Sequence, residues 1–134
     1  MNFELTEEMR MLKEMAYKFA VAEIAPFSAE CDEQEKYLPE IRKKAAQNGL
    51  VGAWIPEAYG GSGAGILGNA IITEELSKVD MGIGLNIVAS GFGCESILNY
   101  GTEEQKKTYL PPICEGVQVC AGAYTEPNAG TDVS

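Results

Sequence analysis

The N-terminal stretch up to Pro26 constrains the fold more than any other feature of this sequence, because it carries a continuous helical period. Thr6 can cap a helix whose first turn holds two glutamates. Apolar side chains then recur at intervals of three and four, at Met9, Leu12, Met15, Ala16, Phe19 and Ala20. Pro26 lacks an amide donor and forces a kink or a stop. The sequence therefore predicts an amphipathic helix that ends near Ala25.

Caps and helix breakers divide most of the remaining chain into further helices. Glu30 to Lys36 is predicted to be a charged connector, and Leu50 to Ile55 is too short and too broken by glycine for an assignment. One helix is predicted from Ile41 to Gln47, with Pro39 in its first turn and Asn48-Gly49 as its C-cap. Two more are predicted from Ile66 to Val79 and from Met81 to Tyr100, the latter capped by Asp80 and ended by Gly101. A last, short helix opens with the capping box Thr102 to Gln105 and breaks at Pro111-Pro112.

The C-terminal segment has a different pattern, which is typical of a strand that leads into a turn. Apolar residues alternate from Val117 to Ala121, as on a half-buried strand. The turn that follows contains Pro127, Asn128, Gly130 and Asp132, which all favour tight, rigid backbone. Its outward amides, with hydroxyls at Thr125 and Thr131, suit phosphate oxygens or the carbonyls of a heteroaromatic ring. On residue chemistry alone, an ordinary strand-end turn remains the alternative.

Size and charge restrict the classes of partner. The chain of 134 residues is one domain's worth, with 46% hydrophobic and 22% charged residues, as expected of a globular protein. Ten basic and twenty acidic residues give a net charge of −10, which repels a nucleic-acid backbone and anionic lipid alike. We therefore expect no nucleic-acid partner and no membrane partner. An anionic ligand would need cationic contacts from elsewhere.

The cysteines and the N-terminus suggest neither a metal site nor secretion. The four cysteines show no C-x-x-C spacing and the chain has no histidine, so we expect reduced, mostly buried thiols and no metal. The N-terminus has no basic, apolar signal segment and no Arg-rich transit pattern. A cytoplasmic location is expected, with the mature form of a matrix protein as the alternative.

Two glycine-rich stretches invite a ligand-binding interpretation. Gly63 to Gly68 fits G-x-G-x-x-G, but no strand precedes it, so we interpret these glycines as packing positions rather than a dinucleotide site. The many small residues between Met81 and Tyr100 permit close approach either by a neighbouring helix or by a ligand's acyl chain. Polar residues interrupt this stretch before it could span a membrane. Trp54, in an apolar run, is predicted to be a core residue.

Three motifs, in order, resemble the acyl-CoA dehydrogenase family. Tyr124 to Asp132 is similar to that family's flavin-binding signature, with threonine at position 131 where serine is usual. Ile55 to Gly61 is similar to its I-P-E-x-Y-G-G motif, and Tyr100 to Lys107 to its Y-G-[ST]-E-E-Q-K motif. The resemblance covers the whole chain but only the family's N-terminal part. It implies a mainly α fold, an up-and-down helical bundle over residues 1–116, followed over 117–134 by the first strand of a middle β domain.

The resemblance also implies a chemistry and a set of site residues. Members of this family oxidise acyl-CoA thioesters to 2,3-enoyl-CoA: a base removes an α-proton while the β-hydrogen passes as hydride to FAD. By position in the motif, the backbone of Gly122, Ala123 and Tyr124, together with Thr125, would line the flavin's pyrimidine edge. Thr131 would reach the flavin pyrophosphate or the acyl-CoA. On the substrate side the resemblance implies Thr131, Val88 and Ser90, and as partners electron-transferring flavoprotein and the other subunits of a homotetramer.

No catalytic residue is assigned within this sequence. The family's glutamate base lies in a later helical part, so Glu126 is interpreted as fixing the turn, and the 134-residue chain alone is expected to be inactive and to bind FAD weakly or not at all. The absence of Arg and Lys between Val79 and Gln105 favours an apolar acyl group. Two alternatives stay open: another flavoenzyme on the same scaffold, such as an acyl-CoA oxidase or a flavin monooxygenase, and a non-catalytic helical interaction module.

Overall fold

The computed structural model describes residues 3–132, which form a bundle of short helices. The α-helices are α1 (Glu7–Phe19), α2 (Ser28–Glu33), α3 (Pro39–Gln47), α4 (Gly65–Ser77), α5 (Met81–Val88), α6 (Cys94–Tyr100) and α7 (Glu103–Cys114). The first of them packs on α4, α4 packs on α5, and α6 packs on α7. The predicted mainly helical bundle is confirmed. Within residues 3–132 no helix is long and apolar enough to cross a membrane.

The N-terminal helix begins as predicted, but its end differs. The Thr6 hydroxyl accepts a hydrogen bond from the Met9 amide at 3.2 Å, which is an N-cap. After Phe19 the helix widens to a π-helical turn (Ala20–Ile24) and then tightens to a 3-10 turn (Ala25–Phe27) that leads directly into α2. Pro26 therefore kinks the helical path instead of ending it, and helix α2 includes part of the predicted charged connector.

Local signals placed the end of α3 correctly. The amide of Gly49 donates to the Ala46 carbonyl at 2.9 Å, and the amide of Leu50 donates to the Ala45 carbonyl at 3.0 Å. Together with the φ of +68° at Gly49, these two bonds form a Schellman motif. Leu50 is fully buried, so the same turn delivers an apolar side chain to the core.

The long helix predicted from Met81 to Tyr100 is wrong: the structure has two helices separated by residues 89–93. Asp80 caps α5 as predicted, since its Oδ1 accepts from the Ile83 amide at 2.8 Å. Helix α6 starts only after Gly93, whose φ of +101° is incompatible with a continuous α-helix. The break also frees the Ser90 carbonyl to accept from the Cys120 amide at 2.8 Å. The interaction that replaces a helical hydrogen bond at Ser90 is thus a contact with a segment thirty positions further along the chain.

Helix α7 opens with the predicted capping box but does not break at its prolines. Thr102 accepts from the Gln105 amide at 3.2 Å, and the Gln105 side chain accepts from the Thr102 amide at 2.8 Å. The helix then continues through Pro111 and Pro112 to Cys114. Buried side chains at Leu110, Ile113 and Cys114 hold this last turn, so tertiary packing offsets the missing amide donors.

Two hydrophobic clusters form the interior. The larger is built from the N-terminal helices, α3, α4 and α5, and comprises Ala16, Phe19, Ala20, Ile24, Ile41, Ala45, Leu50, Val51, Ala53, Ile72, Leu76 and Ile87. The smaller comprises Ile55, Cys94, Leu110, Ile113 and Cys114. Trp54 is partly buried and packs against the smaller cluster, so it lies at the edge of the core and not inside it.

The glycines of Gly63 to Gly68 serve packing where the structure constrains them. A Cβ on Gly68 would lie 2.5 Å from the Ala64 Cβ and 3.3 Å from the Leu12 Cδ2, so this glycine lets α4 approach α1. A 3-10 turn (Glu57–Tyr59) and a loop precede this stretch, and no strand does. The packing interpretation is therefore supported and the structural context of a dinucleotide fingerprint is not met.

The predicted strand from Val117 to Ala121 is reduced to one isolated parallel bridge, between Cys120 and Gly91. A strand forms only where a neighbouring chain segment accepts and donates its backbone hydrogen bonds. Among residues 3–132 the break between α5 and α6 supplies a partner for Cys120 alone. Nothing in the structure tests the division of the chain at residues 116 and 117, which stays a prediction.

Candidate functional site

The candidate site lies where the break between α5 and α6 meets the C-terminal segment, and we call residues 89–93 and 119–125 together the junction. The Cys120 amide donates to the Ser90 carbonyl at 2.8 Å, which brings the signature-bearing segment alongside the break. The rings of Phe92 and Tyr124 meet edge to face, with centroids 6.2 Å apart and an interplanar angle of 86°. Two helices that are separated in sequence from the signature therefore fix where the signature begins.

Gly93 makes the junction sterically possible. Its φ is +101°, and a Cβ built there would lie 3.4 Å from both the carbonyl carbon and the oxygen of Ala121. Any side chain at this position would strain the backbone, and its Cβ would come into van der Waals contact with the neighbouring segment. Sequence reasoning noted the small residues here but did not assign Gly93 this role.

The turn predicted in the signature is present. The Glu126 amide donates to the Ala129 carbonyl at 2.9 Å, and the Ala129 amide donates back to the Glu126 carbonyl at 3.3 Å. Pro127 and Asn128 form the tip between this pair of bonds. Glu126 thus closes the turn through its backbone, in line with the structural role expected of it.

The segment before the turn presents polar groups that residues 3–132 leave unused. Gly122, Ala123, Tyr124 and Thr125 are all exposed, and none of their amides has a hydrogen-bond partner within the described part of the chain. Thr125 and the exposed Thr131 add hydroxyl groups on either side of the turn. Such a row of donors fits the carbonyl and nitrogen edge of a flavin ring and the oxygens of its pyrophosphate.

Two of the residues expected on the substrate side, Val88 and Ser90, lie at the end of α5, and they differ from each other in burial and contacts. Ser90 is 2% exposed, and its hydroxyl donates to the Ile87 carbonyl at 2.7 Å. Val88, the last residue of α5, is half-buried and packs against the larger cluster. The Ser90 hydroxyl therefore stabilises the end of the helix, and its part in substrate contact, like that of Val88, stays a prediction.

The thiols near the junction are not activated as nucleophiles. Burial, followed by the influence of Cys120, raises the pKa of Cys94 to about 12. Burial likewise raises the pKa of Cys114 to about 11. Both side chains are consequently neutral thiols at pH 7, and neither supplies a nucleophilic thiolate. Among residues 3–132 no group of three acidic, cysteine or histidine side chains is arranged to hold a metal ion.

Comparison with known proteins identifies the family. The model of the acyl-CoA dehydrogenase N-terminal domain matches residues 6–117. The chain is 43% identical over 133 residues to a short-chain-specific acyl-CoA dehydrogenase of Clostridium acetobutylicum, covering 98% of this chain and 35% of that protein. It is 42% identical over 132 residues to an NADH-dependent acryloyl-CoA reductase of Anaerotignum propionicum, covering 98% of this chain and 34% of that protein.

Solved structures agree with this assignment. A chain in the structure described as the electron transferring flavoprotein of Acidaminococcus fermentans matches with a TM-score of 0.90 and 42% identity, over 99% of this chain and 35% of that one. Fold and family model together define the N-terminal helical domain of an acyl-CoA dehydrogenase. The chain belongs to the acyl-CoA dehydrogenase family, and it spans about a third of the length of the relatives that it matches.

Proposed function

We propose that this chain is the N-terminal part of an FAD-dependent acyl-CoA dehydrogenase, which oxidises acyl-CoA to 2,3-enoyl-CoA. The observation that carries the proposal is the row of exposed amides from Gly122 to Thr125, in the flavin-binding signature of this family, that have no hydrogen-bond partner among residues 3–132. Exposed amides that bond to no other part of the protein are free to donate to a ligand, and the pyrimidine edge of a flavin offers carbonyl oxygens and a ring nitrogen as acceptors.

Each site residue has a distinct part in this proposal. When bound, FAD supplies the acceptor for the substrate's β-hydride. Thr125 and the backbone of Gly122, Ala123 and Tyr124 donate hydrogen bonds to the ring edge on which negative charge develops. Thr131 reaches the pyrophosphate or the acyl-CoA. The base that removes the α-proton comes from a part of the protein outside this sequence.

The substrate and partners follow from the same proposal. Val88 and Ser90 lie at the acyl side, and no Lys or Arg occurs between Val79 and Gln105, so the acyl group is apolar. Electron-transferring flavoprotein accepts the electrons, consistent with the match to a structure of that description. We propose that the assembled enzyme is a homotetramer and that it works in the cytoplasm.

A second candidate is enoyl-CoA reduction, because a named reductase is almost as similar to this chain as a named dehydrogenase is, at 42% against 43% identity. The same donors at the flavin edge serve hydride transfer in either direction. The direction is tested with the full-length gene product: dehydrogenation predicts reduction of its flavin by a saturated acyl-CoA, whereas reductase function predicts NADH-dependent turnover of an enoyl-CoA. Rapid reaction of the reduced flavin with O₂ would instead favour an oxidase or monooxygenase.

The central test is Thr125→Val in the full-length gene product, with Thr108→Val as the control. Thr108 is exposed on α7, and its hydroxyl donates to the Glu104 carbonyl at 2.7 Å, away from the signature. Loss of one flavin hydrogen bond should weaken FAD affinity about tenfold in the first variant and leave it unchanged in the second. Equal FAD affinities in both variants would contradict the assigned role of Thr125.

The fragment itself gives an independent check. The 134-residue chain should lose FAD on gel filtration and should not reduce a dye with acyl-CoA, because the base is absent. Retention of FAD together with acyl-CoA-dependent dye reduction would overturn this expectation. A full-length product that binds no flavin would overturn the enzyme proposal itself and favour a non-catalytic helical module.

A further inference from the structure

Arg42 is a buried cation without a described partner. It lies on α3 with 8% of its surface exposed, and its Nε atom has no hydrogen-bond acceptor among residues 3–132. The ion pairs of this part of the chain all involve lysines, and Arg42 belongs to none of them. Lys43 and Lys44, its neighbours on α3, each pair with a glutamate instead.

A guanidinium in this position requires an acceptor. A buried Nε donor without an acceptor is unfavourable, and arginine, unlike lysine, cannot relieve the cost by losing its proton. The planar guanidinium also presents several donors in a fixed geometry, which match the two oxygens of a carboxylate or those of a phosphate. Arg42 therefore indicates that an oxyanion belongs beside it.

Two cavities adjoin Arg42, and their charges distinguish them. The first, of about 330 Å³, is also lined by Asp32, Glu35 and Asp80, which would repel an anion. These three carboxylates outnumber the one lysine in the lining, Lys36, which already pairs with Glu30 at 3.0 Å. In addition, both oxygens of Asp80 are already engaged, by the Ile83 amide and the Ser28 hydroxyl. This cavity is therefore a poor anion site.

The second cavity has the opposite character. It has a volume of about 270 Å³, and its lining residues are Tyr37, Arg42, Asn86, Ala89, Ser90 and Val119. Arg42 is the one charged residue among them. The Tyr37 hydroxyl can act as a second donor, whereas the Ser90 hydroxyl is committed to the Ile87 carbonyl. With roughly 30 Å³ needed per water molecule, the space accommodates a carboxylate or a phosphate.

We propose that Arg42 binds an oxyanion group, a carboxylate or a phosphate, in this second cavity beneath the junction. The group connects α3 with Ser90 and Val119, so it stabilises the segment that leads into the signature. The inference rests on burial, charge and cavity lining, and it is independent of the proposed dehydrogenase activity. The oxyanion comes either from solution or from a carboxylate of the full-length protein outside residues 3–132.

Thermal unfolding of the full-length gene product tests both sources. The melting temperature is measured at constant ionic strength while chloride is replaced by phosphate or by acetate. Arg42→Met removes the guanidinium at similar side-chain length. Lys43→Met is the matched control, since it makes the same charge change one residue further along α3, where Lys43 pairs with Glu40 at 3.1 Å on the surface.

The two possible sources of the oxyanion predict different effects on the melting temperature. With an anion from solution, phosphate or acetate should raise the melting temperature of the wild type and of Lys43→Met by about 2–4 °C but not that of Arg42→Met. With a carboxylate from the protein, added anions have no effect, and Arg42→Met melts about 5 °C or more below Lys43→Met because the carboxylate is left unpaired. In that case a crystal structure should show the carboxylate within about 4 Å of Arg42.

The proposal is overturned if added anions have no effect and Arg42→Met melts at or above the temperature of Lys43→Met. If Arg42→Met does not fold, Arg42→Lys replaces it, since lysine keeps the charge but lacks the planar fork. A higher half-saturating phosphate concentration in Arg42→Lys, or an intramolecular carboxylate seen at Arg42 in the crystal structure, then supports the proposal. Unchanged phosphate dependence with no such carboxylate refutes it.

Discussion

At the residue scale, Glu75 shows how a buried charge can join two helices. Its side chain is 4% exposed, and it lies 3.4 Å from Lys13 Nζ on α1 and 2.6 Å from Lys78 Nζ beyond the end of α4. Glu74, next to it, pairs with the same two lysines at 3.9 and 3.0 Å but is 58% exposed. The two carboxylates thus share partners and differ in burial.

Replacement of Glu75 by Gln should lower the free energy of unfolding by about 1–2 kcal/mol, because the buried negative charge that pairs with two lysines is lost. The loss is limited by the lysines themselves, which are 42% and 44% exposed and can be rehydrated. Glu74→Gln should change the free energy of unfolding by less than about 0.5 kcal/mol, because exposed ion pairs contribute little to stability. Urea denaturation of both variants measures the difference, and equal losses would contradict the importance of burial.

The buried thiols predict an alkaline loss of stability. The pKa values of about 12 for Cys94 and about 11 for Cys114 lie above the value of roughly 8.5 for an unfolded cysteine. Above about pH 9 the unfolded chain therefore releases protons that the native state keeps, so stability falls as pH rises towards 11. In urea denaturation from pH 8 to 10.5, Cys94→Ala/Cys114→Ala should show a shallower decline than the wild type. Parallel curves would exclude the thiols as the cause.

At the element scale, the break between α5 and α6, and not either helix itself, attaches the C-terminal segment to the bundle. It exposes the Ser90 carbonyl to the Cys120 amide and positions Phe92 against Tyr124. A continuous helix would have used that carbonyl internally and left the C-terminal segment without its attachment. The break is therefore the element that connects the helical bundle to the segment that carries the family signature.

Gly93→Ala should destabilise the full-length protein by at least about 1–2 kcal/mol and weaken FAD binding, because it adds a Cβ at φ +101° against Ala121. Gly82→Ala is the control. Gly82 lies inside α5, where a Cβ would meet only Asp80 Oδ1 at 3.4 Å, and alanine there should be neutral or stabilising by up to about 1 kcal/mol. Similar unfolding energies for both variants would show that the junction tolerates a side chain.

At the scale of the whole molecule, the two hydrophobic clusters differ in size. The larger contains twelve buried residues from the N-terminal helices, α3, α4 and α5, together with the segment after α3. The smaller contains five, contributed mainly by α6 and α7. Buried apolar contacts resist local opening, so the part of the fold with fewer of them opens at lower free energy.

Native-state hydrogen exchange of the 134-residue chain should therefore show α6 and α7 opening before α4. Amides of α4 should exchange only by global unfolding, while those of α6 and α7 should exchange through an opening that is less sensitive to urea. The sensitivity to urea is lower for α6 and α7 because their partial opening exposes less surface than global unfolding does. Identical exchange energies and urea slopes for the three helices would indicate a single cooperative unit.

Most helix starts and one helix end were predictable because the atoms that determine them are close in sequence. Thr6, Asp80 and Thr102 each accept from an amide three residues later, and the Schellman motif at Gly49 involves only the preceding turn. The signature from Tyr124 to Asp132 was likewise readable, since its turn closes between Glu126 and Ala129.

The tertiary structure decided what depends on partners distant in the chain. The prolines of α7 stay within a helix because buried neighbours hold the last turn. The helix predicted from Met81 to Tyr100 divides because the Ser90 carbonyl meets Cys120, thirty positions away in sequence. The burial of Arg42 follows from the approach of α5 and Val119, which no period or cap in α3 encodes. Sequence by itself determined this protein's local hydrogen bonds and its family signature; packing between remote segments decided the breaks, the junction and the buried charge, because only the folded chain brings those atoms together.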